Sequence, residues 1–265
     1  MSFSIKKWPS VTRVLLALVC VILAGCSGGV QLTSNKLDRE VAIDGVETEW
    51  MGALTVVPKE DFSVGLLNDD EHLYISFITG SPKVQQQIVM QGLMIWFDRE
   101  GGKGKSVGIK FPIGLFSSDI NLNTAALEQS PELIESYFNE SLSHFELFDS
   151  AKEPGAKYTR QELSGLEMNA NLENGSFVYE LKIPLTGDHA YTVSPYTGNQ
   201  LGIIIEAPKL DEEEIVEQIE AADRGSATRG GGLVGNTGYY GNALLGASMG
   251  GATNFKYKTT MLLAD

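Results

Sequence analysis

Through much of the chain, apolar and polar positions alternate with a period of two, as side chains do on the two faces of a strand. Phe62, Val64 and Leu66 alternate with Ser63 and Gly65, and Asn68-Asp69-Asp70-Glu71 is a turn cluster. Leu73, Ile75 and Phe77 then alternate with Tyr74 and Ser76, so the pair predicts an antiparallel hairpin. Leu93 to Phe97 is apolar at every position, as in a central strand covered on both faces. It stops at Asp98, before a Gly/Lys turn over 99–105, and Val107, Ile109 and Phe111 form the return strand, ended by Pro112. Met168, Ala170 and Leu172 precede Asn174-Gly175, a favoured two-residue hairpin turn. Phe177, Tyr179, Leu181 and Ile183 follow, ended by Pro184. Leu201 to Glu206 and Phe255 to Leu263 add two more strands. At least eight strands with closely spaced turns predict an all-β fold, an antiparallel β-sandwich with one or two peripheral helices.

Two segments switch to helical spacing. Ser130-Pro131-Glu132 offers an N-cap, a proline at the first helical position and an early acid. Leu133, Ile134, Tyr137, Phe138, Leu142 and Phe145 then fall on one face. The second helix is predicted from Asp211 to about Ala222, with an acidic start that suits the positive end of the helix dipole. Beyond it, residues 225–251 contain 10 glycines in 27 positions, too costly in backbone entropy for a regular element. A long loop is expected there.

The amino terminus has another pattern. Lys6, Lys7 and Arg13 precede an apolar run of 11 residues, Val14 to Ala24, shorter than the ~20 residues of a membrane span. The run ends in Leu23-Ala24-Gly25-Cys26, which resembles the bacterial lipobox. That resemblance implies a signal peptide over 1–25, acylation (palmitate) of Cys26 and a lipidated tether over 26–39. With Ser27 rather than Asp after the cysteine, it also implies an outer-membrane lipoprotein facing the periplasm. Several acyl chains, at about 0.8 kcal/mol per buried CH₂, make a stable anchor.

Charge narrows the partners. Without the three leader cations, 17 basic residues face 34 acidic ones, a net charge of −17 in place of −14. No basic field is left to neutralise phosphates, which argues against nucleic acid. A hydrophobic content of 43% supports a real core. The two cysteines, Cys20 in the leader and Cys26 at its end, exclude a disulfide scaffold or a multi-cysteine metal site.

Four motifs in order carry a family resemblance: Ile43-Asp44-Gly45 with Glu49-Trp50-Met51-Gly52-Ala53; Asn68 to Ile75; Gly92 to Asp98; and Phe177 to Leu185. Together they resemble bacterial domains related to carbohydrate-binding module family 9 and the DOMON group, over about residues 40–207 of a domain spanning 40–265. The resemblance implies a non-catalytic binding domain for glycans or another small envelope ligand. Trp50 is expected to plug the end of the sandwich, and Glu180 to bond a backbone amide or a cation. Sugar binding needs aromatic platforms and polar groups. The candidates are Tyr191 and Tyr196 in a loop and Trp96, although an apolar run such as that around Trp96 more often goes to the core.

Two alternatives stay open. One is an envelope assembly lipoprotein with a protein partner. The other is haem held by His72, His144 or His189 with Met90 or Met94, of which His72 is expected in a turn and His144 on the first helix. Enzyme motifs are lacking, as are metal-loop spacings: Asp69, Asp70, Asp98 and Glu100 read as solvated turn acids. No cofactor is expected.

Overall fold

The computed structural model describes residues 31–117, 138–209 and 254–265. The leader with Cys26, the second predicted helix and the Gly-rich segment lie outside the described residues.

Two sheets pack face to face. One orders its strands β1 (Leu32–Thr33), β13 (Lys256–Leu262), β12 (Gln200–Glu206), β6 (Met94–Asp98), β7 (Val107–Lys110), β8 (His144–Phe148) and β9 (Ala156–Thr159). The other runs β10 (Glu167–Glu173), β11 (Ser176–Pro184), β5 (His72–Thr79), β4 (Ser63–Asn68) and β2 (Asn35–Lys36), with β3 (Leu54–Val56) also on β4. All pairings are antiparallel except β1 with β13 and β2 with β4. The fold is an antiparallel β-sandwich. Its core is built from the inward half of each alternation, including Val64 and Leu66 of β4, Ile75 and Phe77 of β5, Ile95 and Phe97 of β6, and Ile203 and Ile205 of β12. The 174–175 hairpin forms as its residues dictate: Asn174 (φ 51°) and Gly175 (φ 77°) both take the left-handed conformation that such a turn needs.

Three segments differ from expectation. Leu32 to Lys36, expected as tether, crosses from one sheet to the other. Ser34, between β1 and β2, bonds Asn68, and both side chains accept the Ala264 amide at 2.9 Å, joining the start of the domain to its end. The described end of the first predicted helix covers only 138–141. Phe145 and Leu147, with His144 nearby, belong instead to β8, where they alternate inward against β7. Apolar spacings of four and seven from Phe138 mimic a helix, but a period-two run pairing with β7 and β9 overrides them. A helix not expected, α1 (Pro82–Gln91), follows β5 and puts Val84, Ile88 and Val89 into the core. Its start carries a Ser81-Pro82 signal, but its three consecutive glutamines hide the apolar stripe.

Candidate functional site

Side chains on the outer faces of the sheets come from the polar half of each alternation, so a large apolar residue there needs its own cover. Trp96 is such a residue. Its ring lies over Gly108 on β7, where a Cβ would stand 2.5 Å from the indole. It packs with Met94, Ile204 and Phe148 and is 4% exposed. The indole N–H donates to Glu206 (3.0 Å), Lys105 donates to the same carboxylate oxygen (2.6 Å), and Lys256 bonds its other oxygen. Burial alone would raise the Glu206 carboxyl, but the two ammonium groups outweigh it and hold it below the usual range. Trp96, offered by the sequence as a sugar platform, is thus covered.

Trp50 is matched on the other sheet. It covers the outer face over Gly65 rather than the end of the sandwich, and it is fully buried with Ala53, Leu67 and Tyr74. Its indole N–H and the Gly45 amide each donate to Glu180 at 2.6 Å, so the backbone-amide partner expected for Glu180 is Gly45. Burial raises the Glu180 carboxyl, against these two donors, and nearby Asp44 adds to the rise. Asp44, Glu49 and Glu180 bring one oxygen each within 4.8 Å of one another, the sole grouping with metal-ligand geometry among the described residues.

The other two sequence candidates separate. Tyr191 is buried in the core, donates to the Ser164 carbonyl at 2.8 Å and stacks on His189 (4.9 Å, 6°); burial raises its phenol. Tyr196 is 60% exposed. Its ring carries the Arg99 guanidinium 4.4 Å from the centroid, its amide donates to the Arg99 carbonyl (2.9 Å), and Arg99 Nε donates to the Ser194 carbonyl (3.1 Å). No ring contact joins Trp96, Tyr191 and Tyr196 among the described residues.

The turn acids serve the backbone. Asp69 accepts the amides of Glu71 and His72, and Asp98 those of Glu100 and Gly104. His72 opens β5 instead of lying in the turn, and His144, on β8, is 2.7 Å from the Ser143 hydroxyl.

One concave region was not legible in the sequence. A cleft of about 420 Å³ is lined by Asn139, Glu140, Ser143, Arg160, Gln161 and Asn169, with Leu142 as its apolar contribution. These residues arrive from the end of the short helix and the turn before β8, the turn after β9, and β10. Arg160 Nη1 donates to Asn169 Oδ1 (3.0 Å) and the Met168 carbonyl (3.4 Å), and the guanidinium sits 6.0 Å from the Phe111 ring centroid. Asn169 Nδ2 in turn donates to the Ile43 carbonyl (3.3 Å). The cleft therefore offers amide, carboxylate and guanidinium groups, the donors and acceptors that pair with hydroxyls. Among the described residues its one carboxylate is Glu140.

Among solved structures, the chain is similar to a carbohydrate-binding module family 9 from Caldicellulosiruptor kristjanssonii in complex with cellotriose. The TM-score is 0.35 at 11% identity, covering 69% of this chain and 80% of that one. The same module in complex with glucose matches at TM-score 0.32 and 12% identity, over 70% of this chain and 80% of that one. No protein-family model matches the chain. No curated protein matches it either.

Proposed function

We propose that the chain is a lipid-anchored, non-catalytic binding domain of the bacterial cell envelope and that its ligand is a glycan. The observation that carries this reading is the cleft at Arg160, a concave site whose walls are almost wholly hydrogen-bonding side chains. Glycosides are hydrolysed by two placed carboxylates, and one carboxylate among the described residues of the cleft suits binding instead. Tyr196, exposed and pinned against Arg99, adds a separate aromatic face for a sugar ring. The motifs at 43–53, 68–75, 92–98 and 177–185 agree with this reading, and the lipobox-like ending at Cys26 supplies the anchor.

A glycan array followed by calorimetry tests the ligand, and binding of an envelope oligosaccharide or polysaccharide is expected. An array without any binder overturns the reading. Cys26→Ser tests the anchor. The variant should leave the membrane fraction after a high-salt wash, and retention there overturns lipid anchoring.

A second reading, an assembly lipoprotein, is favoured by exposed Met51 (69%), just before the short strand β3, and Val56 (72%), at its end. Crosslinking from Val56 in whole cells discriminates the two: one stoichiometric protein partner favours assembly.

A further inference from the structure

The way Arg160 is held names the class of glycan. A guanidinium has five N–H donors, and its two-pronged edges match the two oxygens of a carboxylate. In this cleft Nη1 is committed, to Asn169 Oδ1 and the Met168 carbonyl. Asn169 is itself fixed, donating to Ile43 and accepting the Ala170 amide at 3.0 Å. The Nε–Nη2 edge makes no hydrogen bond among the described residues, and no carboxylate of those residues pairs with Arg160. Lys36, Lys105, Lys110, Lys182 and Lys256, by contrast, each meet an acid. In a chain with 34 acidic residues and 20 basic ones, a half-buried guanidinium without an acid partner among the described residues, anchored on one nitrogen in a cleft, is set up to bind a carboxylate from outside.

We infer that the cleft binds an acidic glycan of the uronic-acid class, with the sugar carboxylate on the Nε–Nη2 edge of Arg160. This rests on the glycan reading and sharpens it. The sugar hydroxyls then fall to Asn139, Glu140 and Gln161, whose side chains make no hydrogen bond among the described residues. Glu140 fits hydroxyls as an acceptor, and its charge disfavours a second ligand carboxylate on its side. The site is thus selective for one acid group per bound sugar rather than for polyanions in general. Asn169 is a positioning residue: it holds Nη1 and so turns the free edge of Arg160 outward.

The test is calorimetry on the full chain with a hexuronic-acid trisaccharide, the matching neutral trisaccharide and a short peptide ending in a free carboxylate. The acidic sugar should bind about tenfold or more tightly than the neutral one. Added salt should narrow the gap, because part of the preference is charge attraction. Arg160→Gln should erase the preference while leaving the neutral sugar's weaker affinity. Arg160→Lys should restore only part of it, since a point charge lacks the two-pronged geometry. Gln161→Ala, at an exposed position, should weaken both sugars alike. Equal binding of acidic and neutral sugars overturns the inference and leaves the glycan reading standing. Binding of neither sugar overturns both. Tighter binding of the peptide than of either sugar, or an Arg160→Gln preference equal to that of the original chain, also overturns the inference.

Discussion

Each sheet of the sandwich carries one tryptophan on its outer face, laid over a glycine of a strand, with its indole N–H on a buried glutamate. Trp50 lies over Gly65 and bonds Glu180; Trp96 lies over Gly108 and bonds Glu206. The two arrangements differ in what completes the carboxylate. Glu180 has a backbone amide as second donor and an acid, Asp44, close by. Glu206 has two lysines. Burial raises the carboxyl at the first site and is outweighed at the second, so the same Trp–Glu pair carries opposite electrostatics. Covering a sheet with tryptophan needs only a glycine to lie on and an acceptor for the indole. Whether that acceptor is charged is decided by the elements that meet beside it.

The strongest test of this comparison is removal of each ring. Trp50→Ala should cost toward the upper end of about 3–5 kcal/mol, and Trp96→Ala toward the lower end. The reason is that Glu180 loses one of its two donors, whereas Glu206 keeps both lysines. Urea unfolding midpoints measure it, and an equal loss would show that the glutamate partners do not matter. Next come the glycines. A Cβ at Gly65 would stand 2.6 Å from Trp50, and one at Gly108 would stand 2.5 Å from Trp96. Gly65→Ala and Gly108→Ala should each cost about 1–3 kcal/mol by overpacking. A change below that range in thermal melts would mean that the ring moves aside.

Smaller effects appear in pH. Glu180 is raised, so the stability linked to its proton is whole below the unfolded value of about 4.3 and is lost as pH rises through the folded value. Glu206 is lowered, so its contribution is whole above about 4.3 and is lost as pH falls through its folded value. Unfolding curves over a pH series should therefore flatten on the acid side for Glu206→Gln and just above the unfolded value for Glu180→Gln. Superimposable profiles for the two variants would remove the distinction. Least of all, high salt should weaken the Lys105–Glu206–Lys256 group by under about 1 kcal/mol and leave the Glu180 site unchanged, as melts of the two Gln variants would reveal.

Much of the fold was legible because strands write their period into the chain. The runs at 62–66, 73–77, 93–97, 107–111, 168–172, 177–183 and 201–206 all became strands, and Asn174-Gly175 made the turn its residues require. The local signal failed where it was short or mixed. Leu32 to Lys36 looks like a tether because two-residue strands have no period to read. Phe145 satisfies a helical stripe as well as a strand, and its place in β8, paired with Tyr158 of β9, decided the matter. The site was less legible. Of the three aromatic candidates, Trp96 and Tyr191 are covered and only Tyr196 is open, because exposure depends on which side chains lie across a sheet. Arg160 carries no sequence motif. Its role comes from a neighbour nine residues away and from the short helix and turn that precede β8.

By itself the sequence determined the class of the fold, the hairpin turns, the acidity of the domain and the lipobox-like ending at Cys26, because each is a property of neighbouring residues or of summed charge. Tertiary structure alone decided that two tryptophans lie over two glycines, that one glutamate meets lysines and the other a backbone amide, and that Arg160 keeps an edge free in a polar cleft. Those facts depend on pairing between strands far apart in the chain. Period and composition place a residue on a face, and the residue it meets there is set by register.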